Sequence, residues 1–209
     1  MEKVAVLGAS GKVGGKILME AKKRGLDVTA IVRDASKAPE DTAVLVRDVY
    51  ELTTDDIQPF DVLVNALGFW GDSVTEFSPS TKHLLSILNG TGVRLLVVGG
   101  ASSLYMDASH SMQLRETPDF PKSFYPLGTE MSKSLDLIRQ STGVDWTYLS
   151  PAREFSPKLP RTGSYVIAGE ELTFDADGNS KLSYDDFAIA MVDEIIAKKY
   201  PNQRISVRW

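Results

Sequence analysis

Short runs of aliphatic and β-branched residues recur along this chain, and between them apolar positions fall three and four residues apart. The runs are Val4 to Leu7, Val28 to Val32, Val44 to Val46, Val62 to Asn65, Leu95 to Val98 and Trp146 to Leu149. They are continuous rather than alternating, as in strands buried on both faces, and their alternation with helices predicts a parallel sheet covered on both sides. Helices are expected over Gly14 to Arg24, Pro79 to Leu88 and Pro126 to Gln140, stopped at Gly25, Asn89-Gly90 and Gly143. Thr53 to Ile57 reads as a short capped helix before Pro59. Further on, Ser164 to Ile167 and Leu172 to Phe174 predict short strands around a turn at Gly169, and Ile205 to Val207 a closing strand. Tyr184 to Lys198 predicts an amphipathic helix that buries Phe187, Ala188, Met191, Ile195 and Ile196.

The regularity lapses twice, over residues 101–125 and 151–163. Long irregular stretches in a small domain usually carry function, and both follow late strands, whose carboxyl ends form the ligand edge of an open α/β sheet. They are expected to wall a substrate site, the first of them mobile until ligand binds.

At 209 residues the chain suits one domain, 1–209, that buries its own core. It has no cysteine, which excludes disulfides and cysteine-bound metals and fits a reducing, cytoplasmic setting. The first strand follows Glu2 at once, so no signal peptide is expected, and no apolar run approaches the roughly 18 residues of a membrane helix. The net charge of −5 argues against the broad basic surface of a nucleic-acid binder. Neither a nucleic acid nor a membrane is expected as a partner.

Candidate chemistry begins at Gly8-Ala9-Ser10-Gly11-Lys12-Val13-Gly14, between the first strand and the first helix. Glycines let backbone N–H groups approach a pyrophosphate, and the helix N-terminus adds partial positive charge. The spacing G-x-x-G-x-x-G differs by one interval from the standard dinucleotide fingerprint, but strand and helix stand where it needs them. The expected fold is therefore a doubly wound, Rossmann-like α/β domain. Arg33 ends the second strand about 25 positions after Gly8, where a ribose-binding acid is usual. A guanidinium suits a 2′-phosphate, which predicts NADP(H) over NAD(H); the alternative leaves Arg33 solvated and gives the ribose to Asp34.

Asp48 and Val49 are expected beside the adenine, and Asn65, Ala66, Leu67 and Gly68 where backbone passes close to the cofactor, although Asn65 could instead cap the following segment. Ala101, Ser102, Ser103 and Tyr105 end the fifth strand near the expected nicotinamide position. Ser102, Ser103 and Tyr105 are candidate proton donors to a substrate, or alternatively turn and packing residues. No tyrosine has a lysine four positions on, so the Y-x-x-x-K pair of short-chain dehydrogenases is missing. His83 lies in a helical run and reads as a packing residue, whereas His110, in the first long loop, is the better acid candidate. Neither has metal-site spacing, no metal is expected, and Asp175 to Asn179 reads as a hairpin turn.

With GASGKVG, the Arg33 strand end, LVNALG, VVGGASSLYM, TPDFP, WTYLSP, RTGSY and SYDDFAIAMVDEI, the chain resembles the bacterial NADH-flavin reductases. These are atypical short-chain dehydrogenases, grouped with NmrA-like regulators and biliverdin-IXβ/flavin reductase. The resemblance implies cofactor contacts at Gly8, Ser10, Gly11, Lys12, Val13, Arg33, Asp48, Val49, Ala66, Gly68 and the Ala101-Ser102 region. Together with the Arg33 reading, it leads us to expect hydride transfer from NADPH to a flavin, quinone or similar small planar acceptor. A second reading is an NmrA-like sensor that distinguishes NADP from NADPH and reports to a protein partner. A sugar-nucleotide epimerase or dehydratase is disfavoured by the short chain and the missing Tyr–Lys pair.

Overall fold

All six continuous apolar runs become neighbouring strands in the computed structural model, which describes residues 1–209. They are β1 (Lys3–Leu7), β2 (Asp27–Val32), β3 (Ala43–Val46), β4 (Val62–Asn65), β5 (Arg94–Val98) and β6 (Trp146–Pro151). Their spatial order is 3-2-1-4-5-6, all parallel. Strand order reverses between β1 and β4, which opens a crevice at the carboxyl ends of these strands. The later strands are β7 (Glu154–Ser156), β8 (Val166–Ala168), β9 (Lys181–Ser183) and β10 (Gln203–Arg208). Of these, β10 lies parallel beside β6 and β8 closes the edge antiparallel, while β7 and β9 form a separate two-stranded pair.

The helices are α1 (Lys12–Lys23), α2 (Thr54–Ile57), α3 (Phe77–Leu88), α4 (Tyr125–Gln140) and α5 (Tyr184–Ala197). Successive strand residues point to opposite faces, which divides the core in two. Val4 and Val6 of β1 pack with Ile17 and Leu18 of α1 and Phe187 and Met191 of α5. Ala5 and Leu7 join Leu84 and Leu88 of α3 and Leu135 and Ile138 of α4 on the other face. No helix is long and apolar enough to cross a membrane.

Two expectations require correction. The Leu172 to Phe174 segment is not a strand: Leu172 donates one backbone hydrogen bond to Tyr105, and the short strand lies later, at β9. The expected closing strand at Ile205 to Val207 forms as β10, with β8 outside it at the sheet edge. In α5, Ile196 is 47% exposed while Asp186 and Glu194 are buried. Their burial is satisfied by distant chain. Glu194 accepts from Arg94, Thr147 and the N–H groups of Lys199 and Tyr200. Asp186 accepts from the N–H groups of Thr162 and Gly163, from Ser183 Oγ and from Trp209 Nε1.

Asp186 thereby ties the 151–163 stretch and the chain's last residue to α5. Burial by itself would raise its pKa, but the donors from Thr162, Gly163, Ser183 and Trp209 outweigh that and hold it below the usual aspartate range. A lowered folded-state pKa contributes stability that is present above the unfolded value of about 3.9 and is lost as pH falls through the folded value. Asp186→Asn is expected to lower unfolding stability by about 3 kcal/mol at neutral pH and to flatten the acid limb of the stability profile. Denaturant titrations from neutral to acid pH, followed by tryptophan fluorescence, check both effects.

The 101–125 stretch is anchored as well. Leu104, Leu114 and Leu172 form a small buried cluster of their own, and Tyr105 bridges to both Gln113 and Glu171.

Candidate active site

The glycine turn is set by close approach. Gly8 has φ +83°, and a Cβ there would stand 2.8 Å from the Ala66 carbonyl oxygen; at Gly14 it would stand 2.3 Å from the Gly8 carbonyl oxygen. These two residues let α1 sit directly on β1 and β4. Gly11 differs, since its Cβ would meet only the Gly8 oxygen, at 3.1 Å. The helix begins at Lys12, earlier than predicted, with Gly11 as an N-cap that offers no side chain and no acid in the first turn. The N–H groups at this end are left for a ligand.

The turn opens onto a cleft of about 520 Å³ at the switch between β1 and β4, lined in part by Gly8, Ser10, Gly11, Arg33, Asp48 and Val49. Ala66, Leu67 and Gly68 form its opposite wall. The structure keeps one predicted residue and two predicted side chains out of this cleft. Val13 packs against the core, Gly14 is buried, and Lys12 lies on the other flank of α1 with Lys16 and Arg161. Lys12 and Val13 can serve the cleft only through their backbone N–H groups. Asn65 takes its alternative role, its Oδ1 accepting from Leu67 N–H at 3.2 Å.

The cleft lining carries two arginines, Arg33 and Arg47, and two carboxylates, Asp48 and Glu76. Asp34 is folded into its own turn, accepting from Ser36 N–H at 3.0 Å and Ser36 Oγ at 2.7 Å, and these bonds hold its pKa below the usual range. Asp34 does not line the cleft; Arg33 does, and its side chain makes no ion pair or hydrogen bond. Arg47, absent from the residues expected at the site, also lines the cleft and directly follows β3 at the same carboxyl edge. It is partly engaged, with Asp56 at 3.6 Å and the Val46 carbonyl at 3.1 Å. Asp48 accepts from Tyr50 N–H through one oxygen. Tyr50 donates to Glu76, and burial followed by that bond pushes its phenol up to about 12.

A second pocket, of about 240 Å³, begins where β5 ends. Gly100, Ala101 and Ser102 meet Phe120, Phe124 and Met131 there, with Arg153 at its edge. Ser102 Oγ donates weakly to the Gly128 carbonyl at 3.4 Å, and a Cβ at Gly128 would stand 2.8 Å from that hydroxyl. Below the strand end, Tyr148 is fully buried, and burial pushes its phenol up to about 12, so it stays neutral.

Ser103 and Tyr105 are not brought to this pocket. Ser103 is buried, and Arg204 donates to both its hydroxyl and its carbonyl at 3.3 Å. Arg204 is itself paired with Glu170, as is Arg139 at 2.6 Å. Burial would raise the Glu170 pKa, but the two guanidiniums hold it below the ordinary range. Tyr105 stacks on His110, ring centroids 4.3 Å apart, and His110 Nε2 lies 2.7 Å from a Glu171 oxygen. These contacts anchor the loop and leave His110, too, outside the pocket lining. His83 bonds the Leu52 carbonyl, as a packing residue does, and Asp175 to Asn179 forms a turn but not the expected hairpin, since the strands on either side, β8 and β9, pair with β10 and β7 and not with each other.

A family model described as NAD(P)H-binding matches residues 8–197. An uncharacterized Bacillus subtilis protein, YwnB, is 45% identical over 207 residues, covering 98% of this chain and 97% of its own. A Streptococcus pneumoniae crystal structure named "a putative NADH-flavin reductase" superposes with a TM-score of 0.96 at 41% identity, over 100% of this chain and 99% of that one. A Lactobacillus casei protein superposes with a TM-score of 0.89 at 29% identity, over 99% and 98%.

Proposed function

The chain belongs to the NAD(P)H-binding family, and from that premise we propose that it is an NADP(H)-dependent reductase of a flavin, quinone or similar planar acceptor. The observation that carries this reading is a pairing along one carboxyl edge. A cleft of about 520 Å³ carries the unpaired Arg33 in its lining, and a separate apolar pocket, walled by two phenylalanines, contains no carboxylate, histidine, lysine or tyrosine. The name of the Streptococcus pneumoniae neighbour supports the same class.

When bound, the reduced nicotinamide supplies a hydride. The first turn of α1 receives the pyrophosphate through backbone N–H groups, and Arg33, assisted by Arg47, meets the 2′-phosphate. Asp48 keeps one oxygen for the adenine amine while Val49 packs on that ring. Phe120, Phe124 and Met131 hold the acceptor flat and exclude water, which a hydride transfer needs more than it needs a strong acid. Ser102, the one hydroxyl in the pocket lining, relays to the acceptor the single proton that completes its two-electron reduction. The absence of cysteine suits a cytoplasmic reductase.

Steady-state NADPH oxidation with a panel of flavins and quinones tests the reading. Turnover is expected, with Ser102→Ala slower by about 10²-fold and Tyr105→Phe like the wild type, because only Ser102 faces the pocket. Tight, discriminating binding of NADP and NADPH with no turnover of any acceptor would instead identify a sensor that reports to a protein partner.

A further inference from the structure

The rim of the apolar pocket carries positive charge with no partner. Of the ten arginines, seven have side-chain partners: Arg24 with Asp193, Arg47 with Asp56, Arg94 with Glu194, Arg139 and Arg204 with Glu170, Arg161 with Glu20, and Arg208 with Thr173. The three without are Arg33, Arg115 and Arg153. Arg33 belongs to the dinucleotide cleft. Arg153 lines the apolar pocket, and Arg115 follows the pocket residue Leu114, its N–H donating to the Ser102 carbonyl at 2.9 Å.

Arg153 stands on a fixed stem. Ala152 before it is buried, its own N–H donates to Ser180 Oγ at 3.2 Å, and the next N–H donates to the Ser180 carbonyl at 2.9 Å. The glutamates of the flanking segments are engaged elsewhere: Glu116 on the Gln113 N–H, Glu154 with Lys181, Glu170 with two arginines and Glu171 with His110. Asp119, beside Phe120, is exposed and pairs with neither arginine. In a chain of net charge −5, this rim is locally inverted in sign.

Resting on the reductase reading, we propose that the acceptor is a planar aromatic bearing a permanent anionic group, a phosphate, sulfonate or carboxylate, which Arg153 receives. The apolar walls take the rings, and a guanidinium fork fits a tetrahedral or planar oxyanion with two parallel hydrogen bonds. Arg153 is exposed while it lines the pocket, so an anion it receives stays in contact with water.

Two matched pairs of acceptors test this: riboflavin against FMN, and 1,2-naphthoquinone against its 4-sulfonate. Each is measured by kcat and KM with NADPH, and the flavins also by equilibrium fluorescence quenching in the presence of NADP. The wild type is expected to favour the charged member of each pair by about 10- to 100-fold, chiefly in KM, and added salt should shrink the preference. Arg153→Gln should collapse both ratios toward one, and Arg153→Lys should keep part of them. A preference for FMN without the sulfonate would restrict the anion to phosphate. Ratios that survive Arg153→Gln, or a variant that slows both members of a pair equally, would overturn the proposal. Turnover with ratios near one removes the anion site alone. No turnover at all, with an FMN binding preference that Arg153→Gln abolishes, removes the reductase reading and leaves the anion site standing.

Discussion

Gly11→Val is expected to weaken NADP(H) binding by at least about 100-fold while leaving the protein folded, a loss of roughly 3 kcal/mol or more. Gly11 has φ −78° and ψ 163°, extended backbone that a β-branched residue adopts without strain. Its Cβ would press only on the Gly8 oxygen, at 3.1 Å, and the branches beyond it would fill the space at the N-terminus of α1 where a pyrophosphate must come close. The neighbouring turn positions would not separate binding from folding in this way, because a Cβ at Gly14 would sit 2.3 Å from backbone. Calorimetric titration with NADPH, beside thermal unfolding of the free variant, reads the two effects separately. Wild-type affinity in the variant would reduce the turn to a structural feature.

Arg33→Ala is expected to weaken NADP(H) binding by about 10- to 150-fold, the loss of a charge-assisted contact worth roughly 1.5–3 kcal/mol, and to leave NAD(H) nearly unchanged. The selectivity follows from the cleft lining, where Arg33 is free, while the neighbouring Asp34 is bound into its own turn outside it. Arg47→Ala should do the same more weakly, since Asp56 and the Val46 carbonyl already hold that guanidinium. Titrating both cofactors into both variants checks this. Equal weakening for NADP(H) and NAD(H), or none, would end the case for NADP preference.

The sheet was legible because its inner strands are buried on both faces, so their apolar runs are uninterrupted, and the runs mark β1 to β6, the exposed edge strand β3 included, to within two residues. The glycine turn was legible for a similar reason: local sequence fixes local geometry. What escaped notice depends on chain far away. Ile196 looked like part of the buried face of α5, yet Asp186 and Glu194 are the buried residues, because donors from Thr162, Trp209, Arg94 and Tyr200 make their burial possible. Ser103 and Tyr105 looked equivalent to Ser102 along the chain. Arg204, 101 residues later, captures Ser103, and Glu171 and His110 hold Tyr105 away from the pocket. Three-residue strands such as β7 and β9 offer no periodicity to read. Arg47 and Arg153 carried a usable signal that composition alone hides, since each stands just past the carboxyl end of a parallel strand.

The central claim, direct hydride transfer to an acceptor in the Ser102 pocket, is tested most directly with NADPH deuterated at C4 on one face and then the other. Oxidation should be followed under single-turnover conditions, without oxygen, in the presence of FMN. The account predicts a primary isotope effect with one epimer and none with the other, because the cleft and the pocket fix which face of the nicotinamide meets the acceptor. Tight NADPH binding with no oxidation, or oxidation equally insensitive to both labels, would contradict it.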